Sequence, residues 1–236
     1  MVEPDAPRPN WSAISGVLLC ISWAPMAIAI PRLPDLDSMA EVNRFWEDNL
    51  ALMQAVIASV SIGFMFLLVF LGGLAEWLHR AGGALAFTAF GSAVTFMTAL
   101  NVALGLDIAA GLLQQEGSGQ SSYALHSAAF LLAAPAAPAG TAFFAALAFA
   151  SFGKGAFPRA LGWLAVIGAI ANIGALAGVV SLDGPLNSGN GVVGGIAAPL
   201  GLYLAWILSV SVWWLMREGR SEAPVHEGLE DLARRG

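Results

Sequence analysis

Three residues in this 236-residue chain have side chains suited to acid–base or metal chemistry in an otherwise apolar setting: His126, Asp107 and Asp183. Asp107 closes one apolar stretch, His126 stands near the start of the next, and Asp183 closes a later one, so all three are expected on the same side of a stack of helices. An imidazole with two carboxylates can hold a metal ion or pass a proton. The competing reading is a histidine at the water boundary, hydrogen-bonded to a loop.

Uncharged polar residues form a second group. Thr88, Ser92, Thr95, Thr98 and Asn101 follow one another in steps of three and four, which keeps neighbours adjacent on a helix. Such a stripe lines a polar cavity or forms a helix–helix seam. Asn172 lies among Ala165, Gly168 and Ala175, where an interhelical hydrogen bond or a ligand contact would fit. The pairs Gly174/Gly178 and Gly191/Gly195 have the Gly-x-x-x-Gly spacing of packing surfaces. The candidate ligand-binding residues are therefore His126, Asp107, Asn101, Thr95 and Asn172. No catalytic residue, metal ligand or cofactor is assigned. Glu76 and Arg80 are one helical turn apart and read as an interfacial ion pair.

The elements that must position these groups are membrane helices. Hydrophobic residues make up 58% of the chain and charged residues 11%, with a mean hydropathy of +0.73. A soluble domain carries roughly 25% charged residues. So few charges cannot cover so apolar an interior in water, whereas lipid tolerates it. A bilayer core about 30 Å thick needs about 20 helical residues. Six segments qualify, at about 12–30, 50–78, 83–106, 123–152, 161–182 and 192–216, and their central parts hold no Asp, Glu, Lys or Arg. The expected fold is all-α: a polytopic bundle of six transmembrane helices over 12–217, with cytoplasmic tails at 1–11 and 218–236. The first span lacks a basic start and is read as retained rather than cleaved.

Orientation follows from the short connections. Arg8, Arg80, Lys154, Arg159, Arg217, Arg220, Arg234 and Arg235 fall on one side, and Arg32 and Arg44 on the other. The positive-inside rule then places both termini in the cytoplasm of a cell membrane. Trp11, Trp77, Trp163, Trp213 and Trp214 fall at the same ends, as an interfacial belt would. In the first outer connection, 31–49, Ser38 and Glu41 have capping-box spacing, and Met39, Val42, Phe45, Trp46 and Leu50 recur at helical intervals. This predicts a short amphipathic helix lying on the surface or leading directly into the second span. The Gly/Ser/Gln-rich stretch 107–122 reads as a flexible loop, and the tail after Met216 as disordered. Pro25, Pro135, Pro138 and Pro199 interrupt spans and release backbone carbonyls, as at transporter binding sites or simple kinks.

His126 near the start of a long span, Phe143 and Phe144 within it, and Phe157-Pro158-Arg159-Ala160-Leu161-Gly162-Trp163 opening the next resemble the bacterial domain of unknown function 4386 family of integral membrane proteins. The capped segment 37–49 fits the same layout. The resemblance covers about 11–217. It implies a six-helix fold and brings no established chemistry. Pro135 and Pro138 depart from the family's pattern.

Other classes are poorly served. A net charge of −6 and a pI near 4.9 offer nothing to a nucleic acid. Cys20 is the lone cysteine, read as a packing thiol, and cannot form an internal disulfide. The span cores lack the lysine of a retinal Schiff base, the paired histidines of a transmembrane haem and the charged relay of an ion-coupled pump. No rhomboid-type Gly-x-Ser-Gly segment or nucleotide fingerprint occurs. Three functions remain. The first is a non-catalytic module in the lipid bilayer, binding a lipid or small apolar ligand or associating with a partner membrane protein or a second copy of itself. The second is a small facilitator or exporter. The third is an enzyme using the His/Asp cluster.

Overall fold

The computed structural model describes residues 11–221. Most of the two expected tails, 1–11 and 218–236, lies outside them, together with Arg8, Arg234 and Arg235. The described residues form an all-α bundle without strands. Its helices are α1 (Trp11–Trp23), α2 (Met26–Ala29), α3 (Met39–His79), α4 (Gly83–Gln115), α5 (Gly119–Ala133), α6 (Ala137–Lys154), α7 (Arg159–Ala175) and α8 (Ala197–Ser221). They make six segments long and apolar enough to cross a membrane, with mean hydropathies from 1.6 to 2.5, so the chain is a multi-pass membrane protein.

Two segments are broken where proline requires it. Pro25 separates α1 from the single turn of α2, and Pro135 opens a 3-10 turn, Ala134–Ala136, between α5 and α6. Proline has no N–H to give and crowds the preceding turn, so the α ladder cannot run through.

The amphipathic segment expected within 31–49 is the beginning of α3 itself. Ser38 caps it, its Oγ accepting from the Glu41 N–H at 3.3 Å. At 41 residues α3 is about 60 Å long, twice the hydrocarbon thickness. Its first turns therefore stand clear of the membrane at the end away from His79.

The expected loop at 107–122 is instead helical. α4 continues to Gln115 and α5 starts at Gly119, which leaves only 116–118 as a turn. The cause is packing. Ala110 and Gly111 are buried, and the Trp46 ring lies against Gly111, so the helix gains a partner beyond the bilayer. α3, α4 and α5 thus form a three-helix extension at this distal end.

The opposite end is aromatic. Trp77 meets Trp213 and Trp214 at ring-centroid distances of 5.7 and 6.0 Å, and its Nε1–H donates to the Ala156 carbonyl at 3.0 Å. Arg80 and Arg217 lie over the Trp77 ring. Glu76 and Arg80 pair at 3.8 Å on the exposed face, as their spacing suggests. From there a ring column, Phe157, Trp206, Phe143, Tyr203 and Phe96, runs into the core. Between helices in lipid there is little hydrophobic drive, so such close ring packing carries much of the cohesion.

The last connection differs from expectation as well. α7 ends at Ala175 and continues only as a 3-10 turn, Leu176–Val179, and α8 begins at Ala197 rather than near 192. The intervening segment 180–196 holds one 3-10 turn, Gly184–Leu186, and is otherwise irregular yet partly buried. Asn187 holds it: Oδ1 accepts from the Gly189 N–H at 2.6 Å, and Nδ2 donates to Asn190 Oδ1 at 3.0 Å. Asn190 in turn donates to Asp35 Oδ1 at 2.7 Å. Gly191 and Gly195 are therefore not a helix-packing pair. They sit in this folded loop, where added side chains would strike backbone carbonyls.

Candidate functional site

His126 and Asp107 come together; Asp183 does not join them. The 116–118 turn folds α4 and α5 into an antiparallel hairpin, and Asp107 and His126 stand at matching distances from it. His126 Nδ1 and Asp107 Oδ1 are 2.6 Å apart, and both side chains are buried, at 0% and 6% exposure. A carboxylate accepts only, so the proton between them sits on Nδ1 when Asp107 is ionised. Phe45, Trp46 and Phe130 surround the imidazole, with ring centroids 5.7, 5.7 and 5.0 Å away. Nε2 is buried without a protein partner, as is Ser122 Oγ one turn earlier on α5. The histidine is thus an interior group of the bundle, bonded to a helix side chain rather than to a loop. Asp183 remains exposed after α7, accepting from Ser181 Oγ.

Asp107 also faces a cavity. About 550 Å³ of space, its mouth included, lies among α2, α3, α4 and α5. Of the fifteen residues lining it, Asp107 alone is polar; Met26, Met53, Val56, Leu100 and Phe130 are typical of the rest. The space exists because Ala29, Ala103, Ala129 and Ala133 line it with small side chains and because Pro25 ends α1 early. His126 is not among the lining residues, so it reaches a cavity occupant only through Asp107.

A smaller cavity, about 370 Å³ with the open space at its mouth included, adjoins the first, and Leu100, Ala133 and Ile196 line both. It sits at the 3-10 break between α5 and α6 and carries Asn172 of α7 and Ser188 of the folded loop. Asn172 Nδ2 donates to the Gly168 carbonyl at 2.8 Å. That bond fixes the amide orientation and leaves Oδ1 buried without a partner. Oδ1 lies over Gly140 of α6, where any side chain would run into it.

Thr95 and Asn101 fall elsewhere. Both are exposed on the outward face of α4, with Thr88 and Thr98, and Thr95 bonds back to the Gly91 carbonyl at 2.8 Å. The stripe lines neither cavity and forms no seam among the described residues, because the buried face of α4 is its alanine and aromatic side: Ala86, Ala89, Ala93, Phe96 and Leu100.

Sequence reasoning missed the aromatic ring around His126, as well as Ser122 and Ser188. A signal for the first was present, since Phe45 and Trp46 belong to the capped amphipathic segment. The loop residue Ser188 had none. Among the described residues no group of three His, Cys, Asp or Glu side chains could hold a metal. Compared with known protein families, curated proteins and solved structures, the chain matches none.

Proposed function

We propose that this protein is a membrane module that binds a lipid or another small, largely apolar molecule in the cavity beside Asp107. The observation that carries this reading is the cavity wall: apolar throughout except for one carboxylate, itself held by a buried histidine. Ligand sites have this composition, an apolar enclosure with few placed polar groups. The pair at its edge supports binding more than catalysis, because His126 Nε2 is sealed among aromatic rings. Native mass spectrometry of the protein released from mild detergent tests the reading. A stoichiometric small molecule or lipid retained by wild type and lost in Val56→Trp, which fills the cavity, is the expected result. Bare protein in both would count against it.

The setting we propose is a bacterial cell membrane with both termini in the cytoplasm. Lys154, Arg159, Arg80 and Arg217 gather at the tryptophan-rich end, which supports that orientation. Membership of the domain of unknown function 4386 family is part of the same proposal and rests on the Phe157–Trp163 stretch and on His126.

A second reading has its own support. The outward stripe of Thr88, Thr95, Thr98 and Asn101 is an unusual surface to offer lipid and would suit another membrane helix, from a second copy or a partner protein. The same mass spectrum reads subunit number. Loss of a dimer in Asn101→Leu would favour association through α4.

A further inference from the structure

Two cavities sharing one wall raise the question of what the second would receive. Its lining is mostly apolar, five alanines with Phe96, Leu100, Ile196 and Pro199 among them, and it holds no charged residue. It does hold two buried polar groups without partners, Asn172 Oδ1 and Ser188 Oγ, at 0% and 2% residue exposure. Buried polar atoms in folded proteins nearly always find a partner. Gly168 occupies the amide nitrogen, and Gly140 leaves room for Oδ1. An ionic group would meet no counter-charge here, whereas a hydroxyl could donate to the Asn172 carbonyl and accept from the Ser188 hydroxyl.

We infer that the two cavities are halves of one site for an uncharged, hydroxyl-bearing amphiphile: its apolar body lies in the larger cavity and its hydroxyl head against Asn172 and Ser188 in the smaller. The head thus sits away from Asp107, beyond Leu100, Ala133 and Ile196, which border both cavities. The inference rests on the ligand-binding reading and narrows it to a chemical class.

Binding to the full chain in phospholipid nanodiscs tests it, with radiolabelled 1-monooleoylglycerol as probe and methyl oleate and oleylamine as competitors. Methyl oleate keeps the chain and ester but has no hydroxyl. Wild type is expected to prefer monooleoylglycerol over methyl oleate by about tenfold, one or two neutral hydrogen bonds. Ser188→Ala and Asn172→Leu should each cut that preference to about threefold or less. A preference ratio is insensitive to general loosening, and Ser188→Ala serves if Asn172→Leu does not insert. Saturable binding with no preference in wild type, or a preference unchanged in both variants, would overturn the hydroxyl subsite and leave the cavity reading standing. Stronger competition by oleylamine that vanishes in Asp107→Asn would move the head to the carboxylate, with the same consequence. No saturable binding of any probe to wild type would sink the ligand-binding reading itself.

Discussion

His126 Nδ1 and Asp107 Oδ1 lie 2.6 Å apart across the α4–α5 hairpin, and neither residue has more than 4% of its surface exposed. A pair this deeply placed costs desolvation to form, and removing one member costs more, because the other is left alone in an apolar setting.

His126→Leu should therefore destabilise the protein by on the order of 3 kcal/mol, since Asp107 keeps its place without a donor. Asp107→Leu combined with His126→Leu should recover much of that loss. Denaturant titration in mixed micelles, followed by tryptophan fluorescence, reads both. Additive losses in the double variant would show that the two residues are not coupled.

Gly140→Ala should cost about 1–3 kcal/mol, because the new methyl group meets Asn172 Oδ1 and the buried amide must move. Asn172→Ala in the same background should relieve most of the cost. Thermal unfolding of the single and double variants decides it. A Gly140→Ala protein as stable as wild type would mean that α6 and α7 separate freely at this point.

Thr95→Val and Asn101→Leu should change the stability of a single chain by no more than about 0.5 kcal/mol, as expected of exposed positions without interior contacts. A large loss measured for dilute, monomeric protein would contradict the outward placement of the stripe.

Orientation can be read from labelling. In a Cys20→Ser background, Ser118→Cys in the α4–α5 turn should react with a membrane-impermeant maleimide added to intact cells, and Lys154→Cys should react only after lysis. The reverse pattern would invert the topology.

Trp77→Phe should lower stability by about 1–2 kcal/mol through loss of the Nε1–H bond to the Ala156 carbonyl and weaker stacking under Arg217. Chemical denaturation checks this. An unchanged midpoint would mean that the ring cluster compensates.

Hydropathy and charge placement determined the number of crossing segments, because insertion in lipid depends on each segment's own side chains. The cap at Ser38 and the interruptions at Pro25 and Pro135 were equally local, since a side chain or a missing N–H acts on its own turn. The candidate site was legible only in part. His126 and Asp107 stood out as polar groups beside apolar spans, but their meeting depended on α4 running past the bilayer to Gln115, and that extension exists only because α3 is there to cover it. The outward turn of Thr95 and Asn101 was likewise beyond periodicity, which shows that residues share a face and not which neighbour that face meets. Segment 180–196, which supplies Ser188 and Ile196 to the cavities, has no helical pattern. Its shape comes from Asn187, Asn190 and Asp35 bonding across 155 residues of sequence, and only the folded chain brings them together.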